Sequence, residues 1–184
     1  MVKPLFVGER VRLSPLTDSD LDVIAQWYAD GQWIRMLSAF DVPMTRERLE
    51  QWRDRYQNHE KSFLFGIRTQ DDDRLVGMVT LEDILWNHGT GWLSISIGPE
   101  HRGNGYGVDA LRLILDFAFD ECNLHRVQLT VFAYNRPAVA LYEKLGFQRE
   151  GCYREFLHRD GRRHDMWLYG LLRREWENGK NNIH

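Results

Sequence analysis

The chain has 184 residues, 43% of them hydrophobic and 28% charged, enough for one domain with a sizeable core beneath a charged surface. Its 24 basic and 27 acidic residues leave a net charge of -3, so nothing in the balance calls for nucleic acid or an anionic membrane as partner. Cys122 and Cys152 lie outside any C-x-x-C pair, and no run reaches the ~20 apolar residues of a membrane span, which excludes a cysteine zinc site and a spanning helix and points to the cytoplasm.

Residues 9–16 alternate and predict a strand. Thr17-Asp18-Ser19-Asp20 is a helix start with Thr17 or Asp18 as cap, and Leu21, Ile24, Ala25 and Tyr28 follow at helical spacing. Residues 29–44 show no period. A second helix is predicted over 45–58, with Leu49, Trp52 and Tyr56 on one face. Strands follow at 62–68, 75–84 and 92–97, divided by the aspartate turn at 70–74 and by Asn87-His88-Gly89.

Val108, Leu111, Leu115, Ala118 and Cys122 form a helical stripe. Residues 126–132 are a β-rich run. Pro137 opens a short helix over 138–145 that Gly146 closes. Strands at 147–157 and 164–172 flank an Asp160-Gly161 hairpin turn. A single α/β domain over 1–176 is expected, followed by a flexible polar tail over 177–184.

The stretch from Ile97 to Gly107 carries the most chemical information. A strand ends, a glycine-rich loop follows and a helix begins, which aims backbone N–H groups and a helix dipole at one spot. A pyrophosphate fits such a spot. Spacing excludes a P-loop, and the G-x-G-x-G run of Gly103, Gly105 and Gly107 lacks the dinucleotide-binding fingerprint.

Arg102-Gly103-Asn104-Gly105-Tyr106-Gly107 resembles the [QR]-x-x-G-x-[GA] loop of the GNAT superfamily of N-acetyltransferases. The segment from Asn135 to Phe147 is similar to that family's N-x-x-A-x-x-x-Y-x-x-x-G-F pattern. With Asp160-Gly161-Arg162, the likeness points to the branch of ribosomal-protein N-terminal acetyltransferases and spermidine acetyltransferases. The resemblance implies a GNAT fold: a mixed, mostly antiparallel, twisted sheet of about seven strands, splayed between strands 4 and 5, with helices on both faces. It implies acetyl-CoA as cosubstrate and an amine-bearing small molecule or peptide N-terminus as acceptor; no metal is expected, since none of the seven histidines forms an H-x-x-x-H pair. A homodimer is left open. Backbone groups of Ile95, Ser96 and Ile97 would pair with the pantetheine amides. The N–H groups of Arg102, Gly103, Asn104, Gly105, Tyr106 and Gly107 would hold the pyrophosphate, and Asn135 would hydrogen-bond the pantetheine arm.

The resemblance makes Tyr142 the general acid and a backbone N–H near Ile97 the oxyanion donor. Many relatives place a glutamate early in the fourth strand, where this chain has Trp92. Glu82 and Asp83 are the nearest carboxylates, and strand alternation lets at most one face the cleft. Glu82, acting through water, is the favoured base. A lysine-like amine is handicapped by about 4 kcal/mol at neutral pH and an α-amine by less than about 1.5 kcal/mol, so an α-amine acceptor better tolerates the missing glutamate. Trp33, Phe40, Trp86 and Trp92 are expected either to wall the acceptor pocket or to pack in a core or dimer interface. The alternatives are a polyamine acetyltransferase, a non-catalytic acyl-CoA-binding module and an interaction protein using its Trp-rich surface.

Overall fold

The computed structural model describes residues 4–37 and 42–181. The first half runs β1 (Val11–Ser14), α1 (Asp18–Trp27), α2 (Gly31–Leu37), α3 (Arg46–Gln57), β2 (Phe63–Thr69), β3 (Leu75–Leu85) and β4 (Thr90–Ile97). The second runs α4 (Tyr106–Asp116), β5 (Arg126–Phe132), α5 (Arg136–Lys144), β6 (Gln148–Arg159), β7 (Arg162–Leu172) and α6 (Arg173–Asn181). Thr17 caps α1: its N–H donates to Asp20 Oδ2 at 2.6 Å. Asp20 is itself buried and paired with Arg68 of β2 at 2.5 Å, which fixes α1 to the sheet.

Two helices stand where none was expected. Helix α2 occupies part of the aperiodic stretch at 29–44. Its start is set by Asp30, whose Oδ1 accepts from the N–H groups of Gln32 and Trp33 at 2.9 and 3.2 Å. Helix α6 takes in residues 177–181, read from sequence as the beginning of a loose tail. Trp176 is buried and donates to Asp116 Oδ1 at 3.1 Å, and Lys180 meets Asp116 and Asp120 at 2.5 and 3.2 Å. These contacts hold a polar segment against α4, and residues 182–184 lie outside the described residues. The guanidinium of Arg173 bonds the carbonyl of Leu124 and Asn123 Oδ1, at 3.1 and 2.8 Å, and so ties the start of α6 to the turn before β5.

The seven strands form one mixed sheet in the order β1-β2-β3-β4-β5-β7-β6. All neighbouring pairs are antiparallel except β4 and β5, which run parallel. That pairing covers Thr90↔Arg126, Gly91↔Val127 and Trp92↔Gln128 and then stops. From Leu93 onward the two strands part, and the sheet opens into a V. On one face α1, α2 and α3 pack Leu21, Ile24, Trp33 and Leu49 against Leu64 and Met78. On the other, α4 and α5 pack Leu111, Leu115, Val139 and Tyr142 against Val79, Leu81, Leu129 and Tyr169. Each face buries one apolar helix stripe, so the opening of the V lies between two packed cores.

Candidate active site

The loop after β4 has the backbone that the glycines allow. Gly103 and Gly105 adopt φ of +81° and +80°, the left-handed region open to glycine. A Cβ at Gly103 would meet nothing within 4 Å, so the loop is bare on its outer side. Gly105 caps α4 without a side-chain hydrogen bond, so the first-turn N–H groups of the helix have no side-chain acceptor among the described residues. Beneath the loop, Trp27 donates to Glu100 Oε1 at 3.0 Å and packs where any side chain at Gly98 would stand.

Strand β4 supplies the floor of the V. Gly98 N–H donates to Val76 O at 2.9 Å, and Ser96 O lies against Gly77. The antiparallel alternation therefore turns the backbone of Ser96 toward β3, and that of Leu93, Ile95 and Ile97 toward the opening. This corrects the expectation that three consecutive residues present their backbone to the cleft. Ser96 instead brings a buried side-chain oxygen, Oγ, that has no hydrogen-bond partner among the described residues. Ile97 O accepts from Trp33 Nε1 at 2.8 Å, so α2 closes the top of the strand.

Helix α2 spans the V. On the far side Asn135 Nδ2 donates to Met36 O at 3.2 Å and Tyr134 donates to Arg35 O. Arg35 also forms a two-pronged pair with Asp160 at the β6–β7 turn, at 2.8 and 2.9 Å. Asn135 Oδ1 accepts from Ala138 N–H at 3.3 Å and so caps α5. Both arms of Asn135 are thus engaged within the protein.

Two cavities meet under this bridge. The first, about 380 Å³, is lined by Trp33, Ile95–Ile97 of β4, the loop glycines and Tyr106, and Asn135, Ala138, Leu141 and Tyr142 of α5. The second, about 490 Å³, is lined by Glu82, Asp83, Trp92, Ser94, Ile95, Thr130, Phe132, Asn135, Tyr142, Phe156 and Met166. Tyr142 and Ile95 stand in both walls. Tyr142 is 6% exposed, packs edge-on to Phe147, and its hydroxyl has no hydrogen-bond partner among the described residues. Burial raises its pKa above the ordinary tyrosine value, so the group holds its proton at neutral pH.

Glu82 faces the second cavity half-buried, with Tyr56 donating to Oε2 and Thr80 donating to Oε1 at 3.3 Å. Burial raises its pKa, the Asp83 charge adds to the rise, and the hydrogen bonds from Tyr56 and Thr80 oppose it. Glu82 stands directly across the ladder from Trp92, so β3 presents a carboxylate level with the start of β4. Asp83 lines the same cavity, against the expectation that alternation would send it to the other face. Its φ of +49° and the register shift between Glu82 and Leu85 break the alternation there.

Of the tryptophans expected at the acceptor pocket, Trp92 lines the second cavity and Trp33 the first. Trp86 lines neither: it is 46% exposed, edge-on to Phe63, and donates to Glu60 O at 3.1 Å. Phe40 lies outside the described residues. Met36, Leu37, Phe156 and Met166 line the second cavity unforeseen. Met36 and Leu37 belong to the helix whose sequence has no period, and Phe156 and Met166 reach the site only through strand pairing. No group of His, Cys, Asp and Glu among the described residues could hold a metal ion.

The arrangement is that of an acyl-CoA-dependent transferase: a bare glycine loop at a helix start, a split sheet and a buried proton-bearing tyrosine between two cavities. Residues 10–148 match the family model described as an acetyltransferase (GNAT) domain, and the chain belongs to that family. It is similar to a putative ribosomal N-acetyltransferase, YdaF, of Bacillus subtilis, at 34% identity over 95% of this chain and 97% of the relative. It is also similar to the spermidine N(1)-acetyltransferase of Vibrio cholerae, at 36% identity over 67% of this chain and 69% of the relative. The crystal structure of the spermidine N-acetyltransferase from Vibrio cholerae in complex with CoA and spermine superposes with a TM-score of 0.82. It is 28% identical and covers 91% of this chain and 98% of that one. The protein is accordingly an acetyl-CoA-dependent N-acetyltransferase, and its acceptor is an amine.

Asn135 ties α5, α2 and β5 into one frame. Asn135→Ala is expected to lower stability by about 1–2 kcal/mol in urea unfolding, through the lost cap and the lost bond to Met36 O.

Proposed function

We propose that the chain acetylates the α-amine of a peptide or an amino acid, with Tyr142 as proton donor and Glu82 as base. The observation that carries this reading is the position of Tyr142, whose ring stands in the wall of both cavities. The first cavity has the features a pantetheine and pyrophosphate need. Left-handed glycines bare the loop, open N–H groups begin α4, the backbone of Ile95 and Ile97 faces the V, and Ser96 Oγ is unpartnered. Residues 102–107 would hold the pyrophosphate, and Asn135 would hydrogen-bond the pantetheine arm, since its amide has a second N–H and a second lone pair beyond those that meet Met36 and Ala138.

Acetyl-CoA, when bound, supplies the thioester and its thiolate leaving group. The chain supplies the rest. Ile95 and Ile97 offer N–H groups from the unpaired edge of β4 to a developing oxyanion. Tyr142 holds a proton at Oη. Full transfer from even an unperturbed tyrosine to a thiolate of pKa about 8.5 is uphill by about 2 kcal/mol, and burial adds to that, so Tyr142 acts chiefly as a hydrogen-bond donor to sulfur. Glu82 takes the amine's proton, directly or through water, and its raised pKa brings it closer to an α-amine at about 7.7–8.0.

A second reading, a polyamine acceptor, is favoured by Asp83 beside Glu82, since paired carboxylates in one wall suit several ammonium groups. The likeness to spermidine acetyltransferases supports it, while the likeness to a putative ribosomal N-acetyltransferase supports the first. We place the activity in the cytoplasm, where Cys122 and Cys152 would stay as the free thiols they are.

A coenzyme A release assay over α-amino peptides, amino acids and spermidine is expected to give the highest kcat/KM with an α-amine, and higher turnover on spermidine would overturn that choice. Tyr142→Phe is expected to cut turnover at least tenfold while CoA affinity stays within about twofold. Unchanged turnover would remove the proton-donor role. The base must be deprotonated to act, so activity rises with pH through the raised pKa of Glu82. Tyr56→Phe removes a bond that holds this pKa down, and the acidic limb of the kcat profile is expected to move to higher pH.

A further inference from the structure

The second cavity is built from unlike halves. Glu82 and Asp83 of β3 stand on the β4 side of the gap, while Phe156 of β6 and Met166 of β7 come from beyond β5. Met36 and Leu37 of α2 add to the apolar part. Among the described residues no Arg, Lys or His lines this cavity. One half thus suits an ammonium group and the other an apolar one.

Phe156 reaches the cavity through an irregularity of its strand. Tyr153 pairs with Met166 and Leu157 with His164, so residues 154–156 of β6 face the single residue Asp165 of β7. Glu155, in the middle of this bulge, has φ of +54°, a left-handed conformation uncommon for a residue with a Cβ. Its N–H donates to Asp165 Oδ1 at 2.8 Å, and Asp165 O accepts from Ala133 N–H at 3.0 Å just past β5. The bulge is therefore pinned to the strand beside it and, through that strand, to the edge of the cleft. A bulge of this kind re-aims the side chains next to it. Here it leaves Phe156 in the cavity wall yet 50% exposed, with its ring centroid 5.9 Å from that of Tyr153, which is 45% exposed. Aromatic rings left uncovered together beside a cavity are a place for an apolar ligand group to bind.

We infer that Phe156 determines specificity, and that the acceptor's first residue carries an aliphatic or aromatic side chain that rests on Phe156 and Met166 while its α-amine turns toward Glu82. The inference rests on the α-amine reading above and narrows it to one class of α-amine. An apolar side chain entering this wall leaves water and covers the exposed ring, and a single methylene in an apolar pocket shifts kcat/KM by about tenfold or more. A polar or charged side chain gains no partner from Phe156 or Met166 and gives up water to stand there.

The test is a coenzyme A release assay with the full chain on short peptides that differ only in the first residue: Leu, Gly, Ser or Lys. The wild type is expected to give the Leu peptide a kcat/KM at least about tenfold above each of the others. In F156A that preference is expected to fall to within about threefold, chiefly through a higher KM for the Leu peptide. F156L, which keeps an apolar group in place, is expected to retain most of it. Equal kcat/KM on the Leu and Gly peptides by the wild type would overturn the inference and leave the α-amine reading intact. So would a preference that survives F156A, or a Lys peptide used better than the Leu peptide, which would make Glu82 and Asp83 the readers of the first side chain. Turnover of spermidine with none of any peptide would overturn the α-amine reading itself.

Discussion

Beyond Trp92, strand β4 has a ladder partner on one side only. Backbone N–H and C=O groups left unpaired in a protein interior are costly, and most proteins avoid the situation. Here the ladder between β4 and β5 ends after three residue pairs, and the edge that follows faces a cavity. Trp33 satisfies one exposed acceptor, Ile97 O. The others stay available to a ligand with amides of its own, which could pair there as an added strand does.

The surrounding elements keep the V open. If the strands closed, the ladder would simply continue. Helix α2 lies across the gap like a tie, bonded to β4 through Trp33 and to the β5 side through Tyr134 and Asn135, with Arg35 reaching Asp160 beyond. Asn135 also starts α5, the helix that carries Tyr142 to the junction of the two cavities. One interaction set therefore holds the cleft apart and places Tyr142 in it. Burial of the tyrosine follows from the same packing and keeps it protonated.

Much of this was legible in the sequence because it depends on local rules. Three glycines between a strand and a helix predicted a loop that only glycine can form, and Gly103 and Gly105 do adopt positive φ. The Pro137 and Gly146 signals bounded α5 to within a residue or two. Where local rules were misleading, a distant contact decided. Residues 31–37 have no amphipathic period because Trp33 and Ile34 pack below while the carbonyls of Arg35 and Met36 serve as acceptors across the cleft. The polar segment after Trp176 is helical because Lys180 finds Asp116 at the end of α4 and Asp120 just beyond it.

Sequence alone carried the likeness to the family, the order of most elements along the chain and the glycine-rich loop between a strand and a helix, since each is written in residues close together in the chain. Tertiary structure decided which backbone groups of β4 face the gap, that Glu82 and Asp83 share one wall, and that Phe156 and Met166 line the second cavity. The physical reason is that pairing phase, a single left-handed residue at Asp83 and the meeting of β3, β5, β6 and β7 side chains around one cavity are properties of the assembled sheet, which no short stretch of sequence encodes.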